Sequence, residues 1–268
     1  MGWTVLSFLA EPWFVIPWYA IGLLGLAYVA WDVTHANRRL PPAMRWAWPI
    51  IALFFSVIGV ALYVATARRE RPSMFGRVNG AVIHCVAGDG LGIMTAMVIA
   101  RATSLTFWEE FWFEYVVGFC FGWFIFQRKS MTAMTDSTPK ALAMAFRAEF
   151  FSMLTVMGGM GAVMTFVTPA TVGAQPKPLT YAFWGFGMLG LLAGYVLTFP
   201  MNWMIVKGGW KHGMGPKEDA RPVKRAGAKV GLVAAMLAIG AGALALVAWL
   251  TEKREATPIA GAPSIEDR

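Results

Sequence analysis

The chain has 268 residues, of which 57% are hydrophobic and 14% charged, with a formal net charge of +8. A soluble domain carries about 25% charged residues, so this balance excludes an ordinary soluble fold and points to an integral membrane protein. The basic excess does not call for nucleic acid, because most lysines and arginines fall in short loops between apolar runs. Two cysteines, Cys85 and Cys120, both inside apolar runs, do not make a secreted disulfide framework.

About 20 apolar residues cross a bilayer, and that rule predicts an all-α fold, a polytopic transmembrane helical bundle of about seven spans (six to seven). In chain order they fall at roughly 13–31, 46–66, 81–101, 111–127, 147–168, 180–206 and 230–250. The N-terminal "MGWTVLSFLAEPWF" has no basic region before its apolar part, which argues against a cleaved signal peptide. The fourth run is the shortest and is rich in aromatic residues. Beyond the seventh, "TEKREATPIAGAPSIEDR" reads as a disordered tail. The organisation expected is a two-span region (1–79), a four-helix core (80–214), a basic loop with the last helix (215–251) and the tail (252–268).

Basic residues set the orientation. The loops after spans two, four and six hold Arg68, Arg69, Arg71 and Arg77, then Arg128, Lys129 and Lys140, then Lys207, Lys211, Lys217, Arg221, Lys224 and Arg225. The loop after span one has Arg38, Arg39 and Arg45, and those after spans three and five have almost none. This bias predicts a cytoplasmic N-terminus and an outward C-terminus. The acidic "FWEEFWFEY" then faces outward, where Glu109, Glu110 and Glu114 either gather cations at an entrance or belong to a wet, aromatic-anchored loop.

Under this topology one leaflet collects His84, Cys85, Asp89, Glu149, Met153, Met201 and Asn202 from spans three, five and six. Ionisable groups at such depth face a bundle interior and mark ion or proton paths. Cys85 and Asp89 are one helical turn apart, and Gly88 and Gly92 on the neighbouring stripe leave room for another helix. On span five, Met153, Met157, Met160 and Met164 recur at helical spacing, with Glu149 opening the stripe and Ser152 beside it. A row of thioethers is either core packing or a soft surface suited to Cu(I). Pro200 is expected to kink span six, Lys207 and Lys211 to hold anionic headgroups, and Asn202 to satisfy a freed carbonyl or meet a ligand. His35 and His212 read as surface residues, and Cys120 as a small packing residue. There is no phosphate-binding glycine loop, nucleophile elbow, Schiff-base lysine in the last span or second membrane histidine for haem, so no enzyme is expected.

The pieces "IHCVAGDGLG", "RAEFFSM" and "AFWGFGMLGLLAGYVLTFPMNWMIVKGGWKHGM", in this order, resemble the membrane family called domain of unknown function 4396. The matching residues are His84 and Cys85, then Glu149 and Ser152, then Pro200, Asn202 and Gly208 with Lys211 and His212 beyond, over roughly residues 80 to 214. Similar members carry a second cysteine where this chain has Asp89, and some carry acidic residues where Met157 and Met160 stand. The resemblance implies a bacterial inner-membrane location and the fold, and leaves the reaction open.

Taken together, the residues lead to an expected function as a membrane protein that binds, and in the fuller form of the reading transports, a soft transition-metal ion, with copper the first candidate. The metal set would be His84, Cys85, Asp89, Glu149, Met153, Met157, Met160 and Met164. Two rivals stand beside it. One is a proton or cation relay through Asp89, Glu149 and His84. The other is a non-catalytic subunit that docks a membrane partner, or a second copy of itself, through its glycine-rich faces. The expected partners are the lipid bilayer and such a subunit, and not nucleic acid.

Overall fold

A computed structural model describes residues 4–70, 72–103, 105–128, 135, 137–211 and 226–255. Helices follow wherever the apolar runs fall, and their starts are set by local chemistry. Ser73 Oγ accepts from the Gly76 N–H (3.2 Å) to begin α3 (Met74–Ala102), and Thr180 Oγ accepts from Phe183 N–H (3.4 Å) to begin α6 (Tyr181–Lys207). Thr106 and Glu109 form a reciprocal cap on α4 (Phe107–Cys120). Prolines occupy the first turn of α1 (Pro12–His35), α2 (Pro42–Leu62) and α5 (Thr138–Ala162), where no intrahelical N–H is lost. The last described helix is α7 (Ala226–Glu255), so 252–255 are helical where a tail was expected; the rest of the predicted tail, and His212, lie outside the described residues.

Three helices continue as π-helix: α2 through Tyr63–Ala67, α4 through Phe121–Gln127, and α5 through Val163–Val167 before a last α-turn at Thr168–Val172. By length and composition alone, six of the described helices could cross a membrane, the Pro42–Ala67 segment counted as one of them. Helix α4 with its π extension is not in that set, since it carries three glutamates near its start. It nevertheless runs antiparallel along α3. A Cβ on Gly92 would stand 2.8 Å from the Gly118 Cα, and one on Gly88 would stand 3.1 Å from the Gly122 Cα. Two glycine pairs therefore set this contact, the small-residue approach that brings membrane helices close.

The segment predicted as span two does not run straight. Ser56 has φ 50° and ψ −127°, the one positive φ outside glycine among the described residues, and the chain reverses there. The Trp48 and Tyr63 rings lie 5.4 Å apart, whereas fifteen residues of straight helix would separate them by about 22 Å. A Cβ on Gly59 would meet the Ile51 carbonyl oxygen at 2.6 Å. Both legs lie against α1, with Gly25 facing Ala52 of one and Val60 of the other. At the foot, Asn37 Nδ2 donates to Tyr63 Oη and to the Ala67 carbonyl (both 3.1 Å), and buried Asp32 accepts from Tyr63 Oη and pairs with Arg68. The 42–67 segment is a hairpin whose two ends share a face.

With both ends of the 42–67 segment on one side of the bundle, Arg38, Arg39, Arg45, Arg68 and Arg69 fall on one face, here the basic face. The N-terminal 3₁₀ segment Thr4–Ala10 lies at the opposite face, against the start of α6: a Cβ on Gly185 would stand 1.8 Å from the Leu9 oxygen, and Tyr19 Oη donates to the Trp184 carbonyl (3.1 Å). Helix α6 runs antiparallel to α3 (Gly90 on Leu191, Gly187 on Met94) and to α5 (Gly159 on Gly194), while α7 runs parallel to α5 (Gly158 on Ala243, Gly161 on Val247).

Candidate functional site

Helices α3, α4, α5 and α6 surround a buried polar cluster. Asp89 of α3 and Glu149 of α5 are both fully buried. Glu149 Oε1 and Asp89 Oδ1 stand 1.8 and 2.1 Å from the point that a Cβ on Gly122 would occupy, so the two oxygens are less than 4 Å apart. Glycine at this place in the π-helical segment is what leaves room for both. No hydrogen-bond donor of normal geometry reaches either carboxyl among the described residues. Two ionised carboxylates at about 4 Å repel by about 4 kcal/mol even at an effective dielectric of 20, and a shared proton removes that repulsion.

One turn toward the basic face, Cys85 is enclosed. Lys211 Nζ donates to Cys85 Sγ (3.0 Å) and to the Ala81 carbonyl (2.9 Å), and Gln127 Nε2 donates to the same sulfur (3.3 Å). Lys211 is 1% exposed. This corrects its expected contact with lipid headgroups: Gly209, at φ 72°, turns the chain after α6 and brings the lysine back into the bundle. With one proton on the carboxyl pair, the cluster holds one ammonium and one carboxylate and is neutral overall.

The clustering expected from the sequence is met for most residues. Asn202 Nδ2 donates to Ser152 Oγ (3.2 Å) and to the Thr198 carbonyl (3.3 Å), joining α6 to α5 just beside Glu149. His84 is buried but its ring packs edge-on to Phe126, at 5.7 Å and 85°. Met153, Met157, Met160 and Met164 are all buried. Their contacts diverge: the Met153 methyl lies against Gly118 of α4, Met160 against Gly190 of α6, and Met164 Sδ accepts from Thr168 Oγ1 (3.8 Å). Among the described residues no group of three or more His, Cys, Asp and Glu is arranged to hold a metal ion. Lys211 and Gln127 were not singled out as site residues from sequence; the double glycine before Lys211 was the available signal for one, and nothing marked the other.

At the opposite face a cavity of about 320 Å³ is lined by Arg101, Glu110, Glu114 and Met164, among others. Two of the three entrance glutamates are thus brought together. Glu109 is not, because its Oε2 accepts from the Thr106 N–H (2.9 Å) and hydroxyl (2.7 Å) in the cap of α4. From Met164 in the cavity wall, the methionine row leads inward along α5 toward Glu149.

No curated protein and no solved structure matches this chain. Every residue of the buried cluster lies between positions 74 and 211, and the hairpin lies before it. That stretch, just over half the chain, matches the family described as Domain of unknown function (DUF4396), and the chain belongs to that family.

Proposed function

We propose that this membrane protein moves protons through its helical bundle, with Asp89 and Glu149 as the proton-holding pair. The observation that carries the reading is the convergence of two buried carboxyls on Gly122 with the Lys211 ammonium close by. One proton on the pair leaves the cluster neutral and a second makes it cationic, so uptake and release alternate between two states that differ by one charge. Intramembrane carboxyls of this kind are characteristic of proton relays. The cavity at Glu110 and Glu114 would be the outer approach, and Cys85, Gln127 and Lys211 the inner boundary. Basic loops favour the cytoplasm, so the basic face is assigned inward and the Thr4–Ala10 segment outward. The test is proton flux into vesicles bearing the purified protein, driven by a membrane potential and read with an internal pH dye. Flux above protein-free vesicles that falls at least about tenfold in Asp89→Asn and Glu149→Gln supports the reading; flux absent, or unchanged in both variants, refutes it.

A soft-metal ion such as copper is the second reading. It is favoured by the buried row Met153, Met157, Met160 and Met164 that starts at the cavity wall, since thioethers suit Cu(I). Stoichiometric Cu(I) binding lost in Met160→Leu would favour it over proton movement alone.

A further inference from the structure

The cavity at the outer approach has features that a proton path does not require. Its wall holds two acceptors with no donor: Glu114 Oε1, on a side chain 7% exposed, and Gln175 Oε1. Gln175 cannot turn its amide nitrogen inward, because Nε2 donates to the Met164 carbonyl (2.6 Å) on the π-helical stretch of α5. The nearby donor is already engaged. Arg101 Nε donates to Glu110 Oε1 (2.7 Å), its Nη1 donates to the Pro176 carbonyl (2.8 Å), and its guanidinium lies 5.9 Å from the Phe183 ring centre. Arg101 thus pairs directly with Glu110, and Glu114 stands against the Glu110 carboxyl, so two carboxyls in the cavity share one arginine. Phe107 and Phe111 complete the wall.

We infer that this cavity is a binding site for a small organic ammonium ion. Such a ligand brings the N–H donors that Glu114 Oε1 and Gln175 Oε1 lack, the second positive charge that the Glu110–Glu114 pair is short of, and a cation that ring faces attract. Size separates it from a bare metal ion. About 320 Å³ is far more than one ion fills, and it lies at the lower end of the roughly 300–1,000 Å³ typical of small-molecule sites. Lys177, also part of the lining, is exposed to solvent, where its charge is screened. The inference goes beyond proton movement and does not depend on it.

The test is isothermal titration of the full chain in detergent with n-butylammonium, tetramethylammonium and butan-1-ol. Butylammonium is expected to bind saturably at one site, with tetramethylammonium, which has the charge and no N–H, about tenfold or more weaker. Glu114→Gln should weaken butylammonium by about tenfold or more, and Asp89→Asn should leave it unchanged. If Glu114→Gln does not fold, Phe111→Leu is read in its place and should also weaken binding. No saturable binding of butylammonium, equal binding of tetramethylammonium, or full affinity in the variant that folds would each overturn the inference. Because proton flux is read separately, with Asp89→Asn, either proposal can fail alone.

Discussion

Replacing Gly122 with alanine puts a methyl group where two carboxyl oxygens already stand. At 1.8 Å from Glu149 Oε1 and 2.1 Å from Asp89 Oδ1, the new carbon is about 1 Å inside the closest approach real Cβ atoms make. Both oxygens must retreat, and they can do so only by parting from each other or by pushing α4 off α3. Overpacking of this kind costs about 1–3 kcal/mol. The expected outcome is a midpoint of thermal unfolding lowered by several degrees and proton flux reduced by about tenfold or more. Gly92→Ala supplies the comparison, since its Cβ meets the Gly118 backbone at 2.8 Å in the same helix contact without touching either carboxyl. It should lower the midpoint similarly and keep most of the flux. Equal loss of flux in the two variants would mean that helix packing, and not the carboxyl pair, governs transport, and the argument for Asp89 and Glu149 would fall.

In the wild type, buried Cys85 should resist a membrane-permeant maleimide; Lys211→Ala in a Cys120→Ser background should speed its labelling about tenfold or more, measured by mass spectrometry, and an unchanged rate would refute the enclosure by Lys211. Single cysteines at Arg38 and Arg69, in a chain free of its native cysteines, should react with an impermeant reagent from one side of the membrane and one at Leu179 from the other; opposite sides for the first two would disprove the hairpin. Gly242 has open space where a Cβ would go, so Gly242→Ala should be neutral or stabilise the last helix by about 0.5–1 kcal/mol, read as an unchanged or raised unfolding midpoint.

Much of this arrangement could be read from the residues alone. Apolar runs locate the helices, and the leaflet shared by the starts of two of them and the end of a third places Asp89, Glu149 and Asn202 together from the sequence alone. The hairpin could not be read that way. Its reversal occurs at Ser56 within "LFFSVIGV", where no proline or glycine pair marks a break, and an apolar window averages across it. The unexplained arginines at 38, 39 and 45 were its trace, since they belong to the same face as those at 68 and 69. Lys211 was misread because a lysine after a membrane helix usually meets headgroups, and only the backbone turn at Gly209 reverses that. The methionine periodicity held as a buried face, but contacts with two different neighbouring helices could not follow from spacing along one.

The hairpin also bears on how the molecule is assembled. A helix broken at Ser56 exposes backbone groups that lipid cannot satisfy, so this segment cannot stand in a bilayer by itself as a continuous helix can. Its tip is completed by others: Trp18 Nε1 of α1 donates to the Phe54 carbonyl (2.9 Å), and the Phe55 ring meets Tyr195 of α6 at 5.8 Å. Tyr195 Oη in turn donates to Asn79 Oδ1 (2.6 Å), whose amide donates to Thr66 Oγ1 (2.9 Å) on the returning leg. A segment early in the chain thus closes on a helix more than a hundred residues later, so the contacts that complete its tip exist only once that later span has been made.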